Sequence, residues 1–133
     1  MFFDSRAVRI FARFLMPASI LVLAACSSSE ERAQNYCQSG LSYVEPGELV
    51  KASLEFRNAL KLNGNFVDAM FELGKVEEAQ QNFAGAVKLF ISVAEHKTDH
   101  IQSRLHLSYI LLAAGQVDLA QKYADEAYAL AKT

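Results

Sequence analysis

Apolar residues recur at helical spacing through the last hundred residues of the chain, broken at intervals by short polar stretches. Tyr36, Gly40, Leu41 and Tyr43 share one such run, which begins at Ala33 and stops at Glu45-Pro46-Gly47, as proline and glycine require. Leu49, Ala52, Leu54, Phe56, Ala59, Leu60 and Leu62 form a second run, ended by Asn63-Gly64-Asn65. The two together predict a helical hairpin. A second hairpin is expected from Phe66 to around Glu95, turning near Gln80-Gln81-Asn82, and a third from His100 to Ala131, turning at Gly115-Gln116. Asp99 followed by Gln102 has the form of a capping box for the third hairpin.

The hairpins are copies of one plan. Moving forward by 34 residues carries Gly40 onto Gly74 and Ser108, Ala52 onto Ala86 and Ala120, and Phe56 onto Phe90, without a gap. Gly47 lands on Gln81 and Gly115, and Ala59 on Val93 and Ala127. A fixed period of this length is the mark of stacked supersecondary units rather than of a generic bundle. The repeated small residues have a mechanical reading, because antiparallel helices approach to about 8–10 Å only where side chains at the crossing are small. Gly74 costs about 1 kcal/mol relative to alanine in an isolated helix, so close packing is expected to offset it. Phe56, Phe90, Leu73 and Leu107 are expected to fill the space between successive pairs.

The opening of the chain has another character. MFFDSRAVRIFAR carries three arginines, FLMPASILVLAA is apolar and uncharged, and Cys26 follows directly. A basic start, a short apolar run and small residues at its end form a secretory signal. The apolar run falls short of the roughly 20 residues that a spanning helix needs, so an uncleaved anchor is the weaker alternative. Residues 27–32, SSSEER, are small and polar and are read as a tether. The expected organisation is a signal at 1–25, Cys26 and the tether at 26–32, and a repeat domain at 33–133, with units near 33–66, 67–100 and 101–133.

Composition narrows the function classes. Hydrophobic residues make up 52% and charged residues 21%, which suits a packed domain and not a disordered one. Loss of the first 25 residues removes three arginines and one aspartate from thirteen basic and fifteen acidic residues, leaving ten against fourteen. That balance gives no electrostatic reason to expect a nucleic acid partner.

Two resemblances add to this reading. Leu23-Ala24-Ala25-Cys26 resembles the lipobox of bacterial lipoproteins, which implies a diacylglycerol (palmitate-bearing) cysteine at position 26 on the periplasmic side of a membrane. Ser27 in place of aspartate implies transfer to the outer membrane. The repeats resemble the tetratricopeptide repeat, through Tyr36, Gly40, Tyr43, Ala52, Phe56 and Ala59, then Leu73, Gly74, Ala86 and Phe90, then Leu107, Leu111, Gly115, Ala120 and Ala127. Ser39, Glu77, Arg104 and Ala124 depart from that pattern, and Gly64, Thr98 and Lys132 stand where a closing proline is usual. The family implies an all-α fold, a short right-handed α-solenoid of three helix-turn-helix repeats. Its concave face would be lined by the first helix of each pair: Gln34, Cys37, Gln38, Leu41 and Val44, then Phe71, Glu72, Lys75 and Glu78, then Leu105, His106, Tyr109 and Leu112. Such a face suits an extended peptide or an amphipathic helix of a protein partner. The alternative is that Phe71, Leu105 and Tyr109 are covered by helices of the same chain. The lysine-and-asparagine arrangement that clamps a terminal carboxylate is not reproduced, with Lys75 its one suggestive residue. Together the two resemblances imply a scaffold of the Gram-negative envelope, like repeat lipoproteins that accompany exopolysaccharide and protein-sorting systems of the PEP-CTERM type or pilus secretin assembly. They also raise the expectation that the chain is the anchored start of a longer array, since no polar capping helix follows the third hairpin.

Candidate chemistry is sparse. His96, Asp99 and His100 invite a metal, but they fall at a junction between hairpins and His106 is the one further ligand in view. Glu77-Glu78 and Asp125-Glu126 are adjacent pairs, which point to different sides of a helix and are read as solvated. Cys37 is the one thiol left beside an acylated Cys26, so it is read as a small, partly buried residue of the first helix, with an intermolecular disulfide as the alternative. With no glycine-rich phosphate loop and no Ser-His-Asp grouping, a binding protein is expected rather than an enzyme, with no cofactor and no metal.

Overall fold

The computed structural model describes residues 28–133; the signal segment and Cys26 lie outside them. Six helices follow one another: α1 Ser29–Val44, α2 Leu49–Leu62, α3 Val67–Ala79, α4 Phe83–His96, α5 Ile101–Ala113 and α6 Val117–Ala131. Each odd helix packs on the even helix after it, and α2 meets α3 as α4 meets α5, so three hairpins stack in sequence into an α-solenoid. None of these helices is long and apolar enough to cross a membrane.

The three hairpin turns are built alike. Glu48 N–H reaches back to the Tyr43 carbonyl at 2.9 Å, Asn82 to Glu77 at 2.8 Å and Gln116 to Leu111 at 2.8 Å. Gly47, Gln81 and Gly115 each bond the carbonyl three residues earlier, and all three have positive φ, at 78°, 64° and 75°. This is the Schellman closure, whose left-handed position favours glycine. Gln81 adopts it without being glycine, at a cost of about 1–2 kcal/mol.

The close approach inside a hairpin depends on one contact. A Cβ placed on Gly40 would lie 2.6 Å from the Phe56 ring, and one on Gly74 would lie 2.7 Å from the Phe90 ring. Both phenylalanines are completely buried. They therefore pack first against the glycine of their own hairpin. Leu73 joins the cluster of Cys37, Ala52, Phe56 and Ala59, and Leu107 joins that of Ala86 and Phe90, so these two leucines fill the inter-repeat space. In the third hairpin Ser108 stands at the glycine position and Ala124 at the phenylalanine position, both partly buried. The two changes belong together, since a larger residue on one helix is tolerated where the opposite ring is gone.

Several expectations need correction. Helix α1 begins at Ser29, not Ala33, because the Ser28 hydroxyl accepts the Glu31 N–H at 3.1 Å and Glu30 and Glu31 suit the positive end of the helix. Residues 29–32 thus form the first turn of α1. The cap of α5 is His100, whose Nδ1 accepts the Ser103 N–H at 3.1 Å, and not Asp99. Leu54 is 55% exposed; it lies two residues from both Ala52 and Phe56, which turns it to the opposite side of α2. Glu77 is not solvated: it is buried, paired with Arg57 on α2, and it accepts from Asn82 Nδ2 at 2.6 Å. Arg104, at a position where the repeat pattern has an aromatic, is also buried, donating to Glu126 and to the His100 carbonyl, each at 3.1 Å.

Gly74→Ala separates packing from helix propensity. Propensity alone would stabilise α3 by about 1 kcal/mol, whereas the forced displacement of Phe90 is expected to destabilise the domain by about 1–3 kcal/mol. In a Phe90→Ala background the same change should become stabilising. Urea unfolding of the four chains in this cycle measures both signs.

Candidate functional site

The first helices of the three hairpins carry two grooves. The larger, about 470 Å³, lies between α1 and α3 and is lined by Gln34, Cys37, Gln38, Leu41, Phe66, Asp68, Phe71 and Glu72. The smaller, about 320 Å³, lies between α3 and α5 and is lined by Glu78, Gln102, Leu105, His106 and Tyr109. Shifts by the repeat period relate the two linings, since Gln34, Asp68 and Gln102 are equivalent, as are Gln38, Glu72 and His106.

Of the residues expected to form a binding face, Gln34, Cys37, Gln38, Leu41, Phe71 and Glu72 line the first groove, and Glu78, Leu105, His106 and Tyr109 line the second. Leu105 is 45% and Tyr109 67% exposed, so the described helices do not cover them. Phe71 is half-covered: its ring meets the rings of His100 and His106 edge-on, with centroids 4.7 and 5.7 Å away, and that of Phe90 at 5.7 Å. Val44 packs against the first core cluster rather than lining a groove, and Leu112 is exposed beyond the second groove. Lys75 is occupied within its own helix, bridging to Glu72 at 2.8 Å with its ammonium 5.1 Å from the Phe71 ring centroid. It is therefore not left free to clamp a carboxylate. Phe66, Asp68 and Gln102 were missed. The signal for Asp68 and Gln102 was their equivalence with Gln34; Phe66 gave none, because it caps α3 and lies outside the helical register.

The polar groups bind the face together. His106 Nδ1 lies 2.6 Å from Glu78, and its ring stacks on Phe90 with centroids 4.7 Å apart. His96 instead faces Asn65 and the Ser92 carbonyl, and His100 caps α5. The three histidines thus point to separate partners, and no group of three potential metal-holding side chains occurs among the described residues. Cys37 is buried at the floor of the first groove. Burial first, and then the Asp68 and Glu72 carboxylates, push its thiol up to about 11, so it is protonated at neutral pH and poorly suited to disulfide exchange.

No protein-family model and no curated protein matches the sequence. Solved structures do resemble the fold. MamA superposes with a TM-score of 0.75 at 21% identity, over 78% of this chain and 60% of that one. The second TPR of Spaghetti (RPAP3), bound to the HSP90 peptide SRMEEVD, gives a TM-score of 0.72 at 11% identity, over 76% of this chain and 94% of that one. The first TPR of the same protein, with the same peptide, gives 0.72 at 12% identity over 76% and 80%. The chain thus spans less than two thirds of MamA.

His100 gives the face a pH dependence. Burial, then Lys97, lowers its pKa from the ordinary value of 6.5, with Arg104 acting in the same direction and Asp68 and Asp99 opposing. The unfolded chain therefore binds the proton more readily, and stability falls as pH drops below about 6.5. Protonation also removes the acceptor for Ser103 N–H, a cap worth about 1 kcal/mol. The loss measured by urea unfolding between pH 7.5 and pH 5 is expected to be smaller by about that amount in His100→Asn, which caps without titrating. The described residues have a tetratricopeptide-repeat fold, a three-repeat α-solenoid.

Proposed function

We propose that this chain is a scaffold of the bacterial cell envelope, held through lipid on Cys26 at the periplasmic side of the outer membrane, that binds a protein partner along the first helices of its repeats. The observation that carries the binding role is the pair of consecutive grooves with Leu105 and Tyr109 open to solvent. Stacked helical repeats present extended surfaces of this kind to partners, and two of the solved structures of like fold hold a peptide. The envelope assignment rests on the sequence: the basic and apolar opening, the lipobox ending at Cys26, and the likeness to repeat lipoproteins of polysaccharide export, protein sorting or pilus assembly.

Leu105→Ala with Tyr109→Ala is expected to abolish capture of a membrane-extract partner by the lipidated chain. The melting temperature should change little, because both side chains are largely exposed; specific capture by the variant as strong as by wild type would refute the binding role. Labelled palmitate is expected to enter the wild-type protein in a bacterial host and to be absent from Cys26→Ser, read by gel fluorography.

A further inference from the structure

The two grooves share an electrostatic character that says what they take. No lysine or arginine lines either of them, while Asp68 and Glu72 line the first and Glu78 the second. Lys75, on the same helix, is spent on Glu72 and the Phe71 ring, and Glu78 is engaged by His106. Asp68 has no ion-pair partner among the described residues. It stands at the rim of the larger groove beside apolar walls from Leu41, Phe66 and Phe71. Burial, and after it the Asp68 and Glu72 carboxylates, disfavours the ionised form of the Cys37 thiol at the floor of this groove.

We infer that the groove between α1 and α3 takes a peptide segment that sets a lysine or arginine against Asp68 and an apolar side chain against Leu41 and Phe71. The inference rests on the reading of this face as a partner-binding surface and adds the sign of the partner. An apolar groove wall excludes water from one side of the charge pair, which strengthens attraction to a cation and penalises an anion. A cationic side chain can also lie along an aromatic wall with its stem, as Lys75 lies over Phe71. An acidic segment would meet the Asp68 carboxylate, while the Lys75 ammonium at the groove is already held by Glu72.

The test uses the full chain and two fluorescein-labelled synthetic octapeptide libraries. They are randomised alike at apolar positions and differ only in two fixed central residues, both lysine or both glutamate. The lysine library is expected to bind about tenfold tighter or more by fluorescence anisotropy at about 50 mM salt, which corresponds to about 1.4 kcal/mol, and the gap should narrow at about 0.5 M salt. Asp68→Asn should bring the two libraries together, with circular dichroism unchanged. Equal or tighter binding of the glutamate library, or a lysine preference that persists in Asp68→Asn, overturns the inference. Glutamate-library binding that is lost in Leu41→Ala, which lines the same groove, would sink the charge assignment alone, whereas failure of both libraries to bind would sink it together with the groove as a peptide seat.

Discussion

The solenoid depends on the meeting of a glycine with a buried phenylalanine ring inside each of its first two hairpins. Neither Gly40 nor Gly74 could carry even a methyl group without displacing Phe56 or Phe90. The glycines weaken α1 and α3 as isolated helices by about 1 kcal/mol each. A fully buried phenylalanine contributes more than that, about 1.5–3 kcal/mol of transfer free energy, so the exchange favours the packed hairpin. The rings also fix the second layer of contacts: Phe90 touches Phe71 and stacks on His106, so the same side chain that closes the second hairpin supports the open face above it. The third hairpin, with Ser108 and Ala124 in the two roles, has no such ring.

Where the repeats depart from the aromatic positions of their pattern, ion pairs take over. Glu77 is equivalent to Tyr43, and Arg104 to Tyr36. Each is buried, and each has partners for its charge: Arg57 and Asn82 for Glu77, Glu126 and the His100 carbonyl for Arg104. A buried charge without partners would cost several kcal/mol, and a well-paired one roughly breaks even against an apolar residue of similar size. These substitutions are therefore compatible with the fold without adding much to its stability. They do add register, since Arg57 ties α2 to α3, and Asn82 ties Glu77 to the turn before α4.

Most of the fold was legible from the chain because the 34-residue period acts on residues with unambiguous physical roles. Gly47 and Gly115 marked turns, and Gln81 between them is a turn by register alone, at a left-handed position that its own side chain would not suggest. The cap at His100 was harder, because Asp99 and Gln102 match the capping pattern and only geometry shows the imidazole accepting from Ser103. Burial of Glu77 and Arg104 was also hidden, since charged residues are read as solvated until their partners from other helices are known. At the face, positions carried over from the repeat resemblance identified Leu41, Phe71, Leu105 and Tyr109. They could not tell that Val44 turns into the core, that Lys75 folds onto its own helix, or that Phe66, outside the helical register, closes one end of the larger groove.

The sign of the face follows from where the cations go. Arg57 and Arg104 are committed to Glu77 and Glu126 in the packing between helices, and Lys75 to Glu72. What remains unpaired in the larger groove is the Asp68 carboxylate, beside amide and apolar surface. In water a unit charge pair at 4 Å is worth about 1 kcal/mol, rising to about 4 at an effective dielectric constant of 20. The acidic residues alone would therefore discriminate weakly between partners. Discrimination comes from placing them beside Phe66, Phe71 and Leu41, whose walls remove water from the same volume. Apolar lining and negative charge act as one device, and removing either should cost most of the selectivity that the other supplies.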